Sequence, residues 1–168
     1  MNIRPYRDAD RLGVIRLFRQ FMDELTPRDQ VAEFEAYTEI AIKEELSRIP
    51  KYYGARPRQG FWVADLDGVV GMVGIEQYSE NVAELRRMAV ETSQRRRGIA
   101  RALLETAEAF CRENGYHRIE LNTSERQVAA RLLYEKCGYR FLGTGVVAKT
   151  TNKLIGGLTR YYYEKDLK

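Results

Sequence analysis

Cysteine and histidine are nearly absent. The 168-residue chain holds two cysteines, Cys111 and Cys137, and one histidine, His117. With so few soft ligands, a zinc site has almost nothing to build on, and no metal is expected. The cysteines form no CxxC pair and sit in segments that read as helical, so they are expected as buried free thiols rather than a disulfide. No apolar run approaches the roughly 20 residues of a membrane helix. The opening Met1-Asn2-Ile3-Arg4-Pro5 lacks the apolar stretch of a signal peptide, so a cytoplasmic protein without a membrane partner is expected. Neither a GxxxxGK[ST] loop nor a GxGxxG fingerprint occurs, which removes the two commonest nucleotide-binding readings. There are no internal repeats and no low-complexity tract.

What is present suits one globular domain spanning 1–168. Apolar residues make up 44% and charged residues 31%, a balance that supports a single substantial core. The net charge of +4 is unevenly spread. Six arginines fall between Glu84 and Arg101 against two acids, whereas eight acids fall between Phe21 and Arg48 against three bases. One region suits an anion and the other a cation, unless both are ordinary solvated faces.

Hydrophobic spacing predicts a strand at Ile3–Tyr6. A helix follows, capped by Asp8, with Leu12, Ile15, Phe18, Met22 and Leu25 on one face, and Thr26-Pro27 ends it. A second helix is expected from Gln30 to Ile49, stopped by Pro50, with Lys51 to Gln59 as a loop. Phe61–Ala64 and Val69–Tyr78 read as strands joined by the Asp67-Gly68 turn. Val82–Val90 is a further strand and Gly98–Asn114 a strong helix closed by Gly115. Ile119–Asn122, Glu125–Lys136, Tyr139–Val146 and Leu158–Leu167 read as strand, helix, strand, strand. This order implies a mixed sheet with helices on both faces.

The most informative stretch is Met88-Ala89-Val90 followed by Arg95-Arg96-Arg97-Gly98-Ile99-Ala100. A strand, a short loop and a helix opening on glycine leave backbone N–H groups unpaired at the positive end of the helix. Small residues at 98 and 100 let a phosphate oxygen approach them, and the arginines add full charges.

Arg95-x-x-Gly98-x-Ala100 resembles the Q/R-x-x-G-x-G/A signature of the GNAT acetyltransferases. Ala130-x-x-Leu133-Tyr134-Glu135-Lys136-Cys137-Gly138-Tyr139 resembles their A-x-x-L-Y-E-K-x-G-F/Y element, and Ala83–Val90 and Gly115–Leu121 resemble their fourth and fifth strands. The resemblance is strong from about 61 to 143. Thr123-Ser124-x-x-Gln127, with Phe61–Ala64 and Glu84-Leu85-x-Arg87-Met88, looks more like the camello-type subgroup. Those relatives acetylate amino groups of cysteine conjugates or of lysine side chains and typically carry a membrane segment. The superfamily often places Asn where Gln127 stands.

The resemblance implies an α/β fold with a mixed, mostly antiparallel sheet of about 6–7 strands and a splayed cleft between the fourth and fifth. It implies acetyl-CoA as cosubstrate and an amine as acceptor. Pantetheine is expected against Met88, Ala89 and Val90. The pyrophosphate is expected on the N–H groups from Arg96 through Arg97, Gly98 and Ile99 to Ala100, near Arg95 and Arg101. Asn122 and Gln127 join this cofactor set, Asn122 alternatively facing the acceptor or capping a helix. Tyr134 matches the family's general acid, although a core tyrosine is the plain alternative. An alkylammonium of pKa near ~10.4 must lose a proton before it attacks. Glu84 is the first candidate base, with Glu120 and Glu76 as alternatives, unless Glu84 merely pairs with an arginine.

The acceptor is expected beside the first two helices and the segment to residue 60, where the acidic excess suits a cation. Arg56 and Arg58 offer a carboxylate site instead. Trp62 and Tyr52-Tyr53 either line this pocket or fill the core. A small amine or amino-acid-like acceptor leads. Protein lysine or N-terminal acetylation, and a non-catalytic acetyl-CoA sensor, are the alternatives. Nucleic-acid binding through the arginines lacks interleaved aromatics. A homodimer is possible through the tyrosine-rich final strand, which could equally end the monomer's own sheet.

Overall fold

The computed structural model describes residues 1–168. The strands are β1 (Asn2–Pro5), β2 (Gly60–Asp65), β3 (Val69–Gln77), β4 (Val82–Val90), β5 (Arg118–Ser124), β6 (Arg140–Val146) and β7 (Thr159–Asp166). The helices are α1 (Arg11–Leu25), α2 (Val31–Glu44), α3 (Ile49–Tyr53), α4 (Ile99–Glu113) and α5 (Val128–Lys136). All strands join one sheet in the order β1-β2-β3-β4-β5-β7-β6. Only β4 and β5 run parallel.

Helices cover both faces. Ile99, Leu103 and Ala107 of α4 and Tyr134 of α5 pack one face against Val73, Leu85, Ile119 and Leu121. On the other face, Phe18 and Met22 of α1 and Phe34 and Ala41 of α2 meet Val63, Met72 and Ala89. The α1 stripe is rotated from the expected one: Val14, Leu17, Phe18 and Met22 are buried, while Leu12 points to solvent. Asp8 does not cap α1. It opens a single 3-10 turn, and Asp10 instead accepts two hydrogen bonds from Arg4. Asp67 and Gly68 both take positive φ, as the expected hairpin turn requires.

Two expectations need correction. The second helix stops at Glu44, because Glu45 leaves helical geometry, and Pro50 sits in the first turn of α3, where its missing N–H costs nothing. The expected loop from Lys51 therefore begins as helix. The tyrosine-rich β7 is not an edge: it is paired on one side with β5 and on the other with β6. The free edges are β1 and β6, so β7 offers no open edge for pairing across a two-fold axis.

The sheet opens between β4 and β5. Their pairing ends at Glu84 opposite Glu120, although β4 continues to Val90 and β5 to Ser124. A bulge in β4 accompanies the opening. Met72 pairs with Ala89 and Gly74 with Arg86, so Val73 faces both Arg87 and Met88. Arg87 adopts φ +56°, costly for a side-chain-bearing residue by about 1–2 kcal/mol. Its guanidinium is held in the buried ion network described below.

Candidate active site

The first turn of α4 gathers unpaired backbone donors. Gly98 has φ +80° and Arg96 φ +64°, turning successive peptide N–H groups toward one side. From Arg96 to Arg101, no backbone N–H donates to any group of the chain. These unpaired donors face a cleft of about 370 Å³. Met88, Ala89, Val90, Arg95, Arg96, Gly98, Ile99, Ala100, Arg101 and Gln127 all line it, with Tyr134 at its inner end. Arg97 and Asn122, expected with this set, do not. Arg97 donates to the Gln94 side chain, and Asn122 lies on the adjoining cavity.

Arg95 donates to Val90 O at 3.2 Å and to Glu24 at 2.5 Å, while Arg96 makes no ion pair. Arg101 pairs with Glu105 at 2.9 Å. Arg126 reaches across the cleft mouth to Leu25 O at 2.5 Å.

A second cavity lies beneath α1 and α2. Met88, Ala89, Gln127 and Tyr134 line both it and the cleft, so the two spaces meet where β4 and β5 part. Tyr134 is buried, and its hydroxyl makes no hydrogen bond. Burial pushes this phenol above its ordinary value, which keeps its proton in place at neutral pH. Neither cysteine lines either space. Cys111 is fully buried in the core, and Cys137 is only partly covered, contrary to the expectation of two buried thiols.

The second cavity rests on an ion network. Glu45 is 0% exposed and accepts from Tyr53 Oη at 2.6 Å, from Arg86 at 3.4 Å, and from Arg87 Nε and Nη2 at 3.0 and 2.5 Å. Burial alone would raise its carboxyl. The two guanidiniums and the tyrosine outweigh that and hold it below the usual carboxylate value. Gly74 is needed here, because a Cβ would lie 2.6 Å from the Tyr53 hydroxyl. Arg86 also pairs with Glu76. Arg87 further donates to Tyr37 Oη and to Asn152 O, both at 2.6 Å, and so ties down the 147–158 segment. Ile155 and Leu158 of that segment pack into the α1–α2 core.

Glu84 lines the second cavity, 3.5 Å from Lys153 Nζ. Its partner is thus a lysine, not the expected arginine. Glu76 is bound by Arg86 and Lys153, and neither Glu76 nor Glu120 lines the two spaces. Arg56 and Arg58 lie elsewhere; the Arg58 guanidinium stacks on Tyr116 at 4.1 Å. Trp62 is core, edge-on to Phe110, and Tyr53 is core bonded to Glu45. Of residues 26–60, Phe34 and Tyr37 of α2 line this cavity.

Sequence reasoning missed Glu45, Tyr37, Lys153 and Arg160. Glu45 was one acid among eight in its region, and its burial arises where helix α2 breaks. Arg160 was hidden in a strand noted only for tyrosine. It lies opposite Ser124 in the β5–β7 ladder, lines the cavity, and donates to Asn122 Oδ1 at 3.0 and 2.7 Å.

A profile of the acetyltransferase (GNAT) family matches residues 16–139. N-acetylaspartate synthetase of Xenopus tropicalis is 37% identical over 131 residues, covering 77% of this chain and 46% of its own length. Human N-acetyltransferase 8B is 33% identical over 113 residues, covering 64% of this chain and 50% of its own. The chain thus spans about half the length, or less, of these curated relatives. Among solved structures, an acetyltransferase from Streptococcus agalactiae superposes with TM-score 0.77 at 20% identity, over 99% of this chain and 98% of that one. A Salmonella typhimurium structure with acetyl-CoA as its cofactor gives TM-score 0.70 at 15% identity, over 100% of this chain and 94% of that one. No helix of the chain is long and apolar enough to cross a membrane.

Proposed function

The chain belongs to the acetyltransferase (GNAT) family, and from that premise we propose that it is an acetyl-CoA-dependent N-acetyltransferase acting on a small amine or amino-acid-like acceptor in a ternary complex. The observation carrying this reading is the meeting of an anion-binding cleft and a roofed polar cavity at Met88, Ala89, Gln127 and Tyr134.

The residues present fit acetyl-CoA. The unpaired N–H groups from Arg96 to Arg101 and the unpaired Arg96 side chain suit a pyrophosphate. The open edge of β4 beyond Glu84 suits the amide-bearing pantetheine. When bound, acetyl-CoA supplies an acetyl group as a thioester, whose transfer to an amine nitrogen releases the thiol.

The chain's own groups do the rest. Glu84 takes the proton of the acceptor ammonium; the Lys153 ammonium at 3.5 Å marks a position where such a cation is already accepted. Tyr134, with its hydroxyl unbonded at the junction, delivers a proton to the departing sulfur. A backbone N–H at Met88 or Ala89, beside the Arg87–Met88 bulge, stabilises charge developing on the acetyl oxygen. Direct transfer is favoured over a cysteine relay because no thiol reaches either space.

The roof of α2 and the 147–158 segment favours a small acceptor over a folded protein surface. Relatives named N-acetylaspartate synthetase support an amino acid. A panel of amines, L-aspartate included, incubated with acetyl-CoA and followed by thiol release tests the reading. Turnover of a free amino acid is expected. Tight acetyl-CoA binding with no turnover across the panel would instead mark a sensor.

A further inference from the structure

Four cations line the second cavity: Arg86, Arg87, Lys153 and Arg160. Arg86 pairs with Glu45 and Glu76, and Arg87 with Glu45. Lys153 pairs with Glu76 and Glu84. Arg160 has no carboxylate partner. Two of its five N–H groups, one on Nε and one on Nη2, go to the neutral Asn122 side chain, and its Nη1 donates to nothing. Removing a guanidinium from water without a counter-charge is unfavourable, and a ligand that supplies the charge recovers that loss on binding. Burial indeed pulls Arg160 below its ordinary value.

We propose that Arg160 is the specificity-determining residue of the acceptor cavity, holding a carboxylate of the acceptor through its open guanidinium edge while Asn122 fixes its orientation. The substrate class is then an amine that also carries a carboxylate. Its ammonium is directed to Glu84 and its carboxylate to Arg160, two groups on neighbouring walls of one space. The positive charge that sequence reasoning sought at Arg56 and Arg58 is supplied from β7 instead. Asn122, considered for pantetheine, is a positioning residue here, because its amide oxygen is occupied by Arg160.

This inference rests on the transferase reading but is tested separately from it. Arg160→Gln and Arg160→Lys are compared with the unaltered protein on L-aspartate and on butylamine, a carboxylate-free amine. Calorimetry with succinate, which has carboxylates but no amine, reads the site without turnover, and acetyl-CoA binding reports an intact fold. The ratio of kcat/KM for L-aspartate over butylamine is expected to fall about 100-fold in Arg160→Gln, mainly through KM, with Arg160→Lys in between. Succinate heat is expected to vanish in Arg160→Gln. An unchanged ratio, or succinate binding equal in both proteins, overturns the proposal. If no amine is turned over yet succinate binding depends on Arg160, the carboxylate site stands and the transferase reading fails.

Discussion

Replacing Glu45 with glutamine should be among the most damaging single changes away from the reacting groups. The substitution keeps the size of the side chain but removes its charge from a position that is 0% exposed. Arg87, whose side chain is 4% exposed, then has no carboxylate partner and keeps only neutral acceptors, among them Tyr37 and the Asn152 carbonyl. Arg86 retains Glu76. Breaking a buried pair by removing one partner costs about 3–5 kcal/mol, because the stranded charge stays desolvated. For a chain of this size that corresponds to a fall in Tm of about 6–20 °C.

The pH dependence gives an independent check. The folded Glu45 carboxyl lies below its ordinary 4.5, so its stabilisation is fully present above that pH and is lost as pH falls through the folded value. The gap between the two proteins in denaturant unfolding should therefore be wide at neutral pH and narrow in acid. A loss under about 1 kcal/mol at neutral pH, or a gap independent of pH, would refute the account of Glu45 as the charge that anchors the bulge.

Tyr134→Phe should lower kcat by about 100-fold or more while leaving Tm nearly unchanged, since the hydroxyl makes no hydrogen bond in the fold; paired kinetics and thermal melts check this. Glu84→Gln should lower kcat/KM by about 100-fold or more, with the rate at high pH partly restored as free amine becomes available, read from a pH–rate profile. Gly98→Ala should weaken acetyl-CoA binding in calorimetry, because φ +80° costs alanine about 1–2 kcal/mol although its Cβ meets nothing within 4 Å. Cys111, with its thiol pushed up to about 12 by burial, should resist a disulfide reagent at pH 8 until the protein unfolds, whereas the partly covered Cys137 reacts first.

Local chemistry was readable wherever it is set by neighbours in the chain. The Gly98 helix start, the Asp67-Gly68 turn and the Gly115 stop are each set by a few consecutive residues. The cleft at the start of α4 is built mostly from such pieces, and most of the residues expected to meet a cofactor line it. The second cavity joins β4, β5, β7, α1, α2 and the 147–158 segment, and no local pattern announces it. Arg160 meets Asn122 across 38 residues, and Arg87 meets Glu45 across 42. Leu12 fitted a helical stripe as well as Val14 did; only the docking of α1 on the sheet decides which is buried.

The place of β7 between β5 and β6 also governs the order in which this sheet can be completed. As the chain emerges, β5 is made first, then α5 and β6, and only afterwards the strand that separates them. Until Thr159–Asp166 inserts, β5 presents a long row of unpaired peptide groups beside the opening left by β4. Such late, nonlocal insertion slows folding and leaves an adhesive margin during synthesis. Arg160 arrives with that strand, so the residue that completes the polar cavity is also among the last to reach its place.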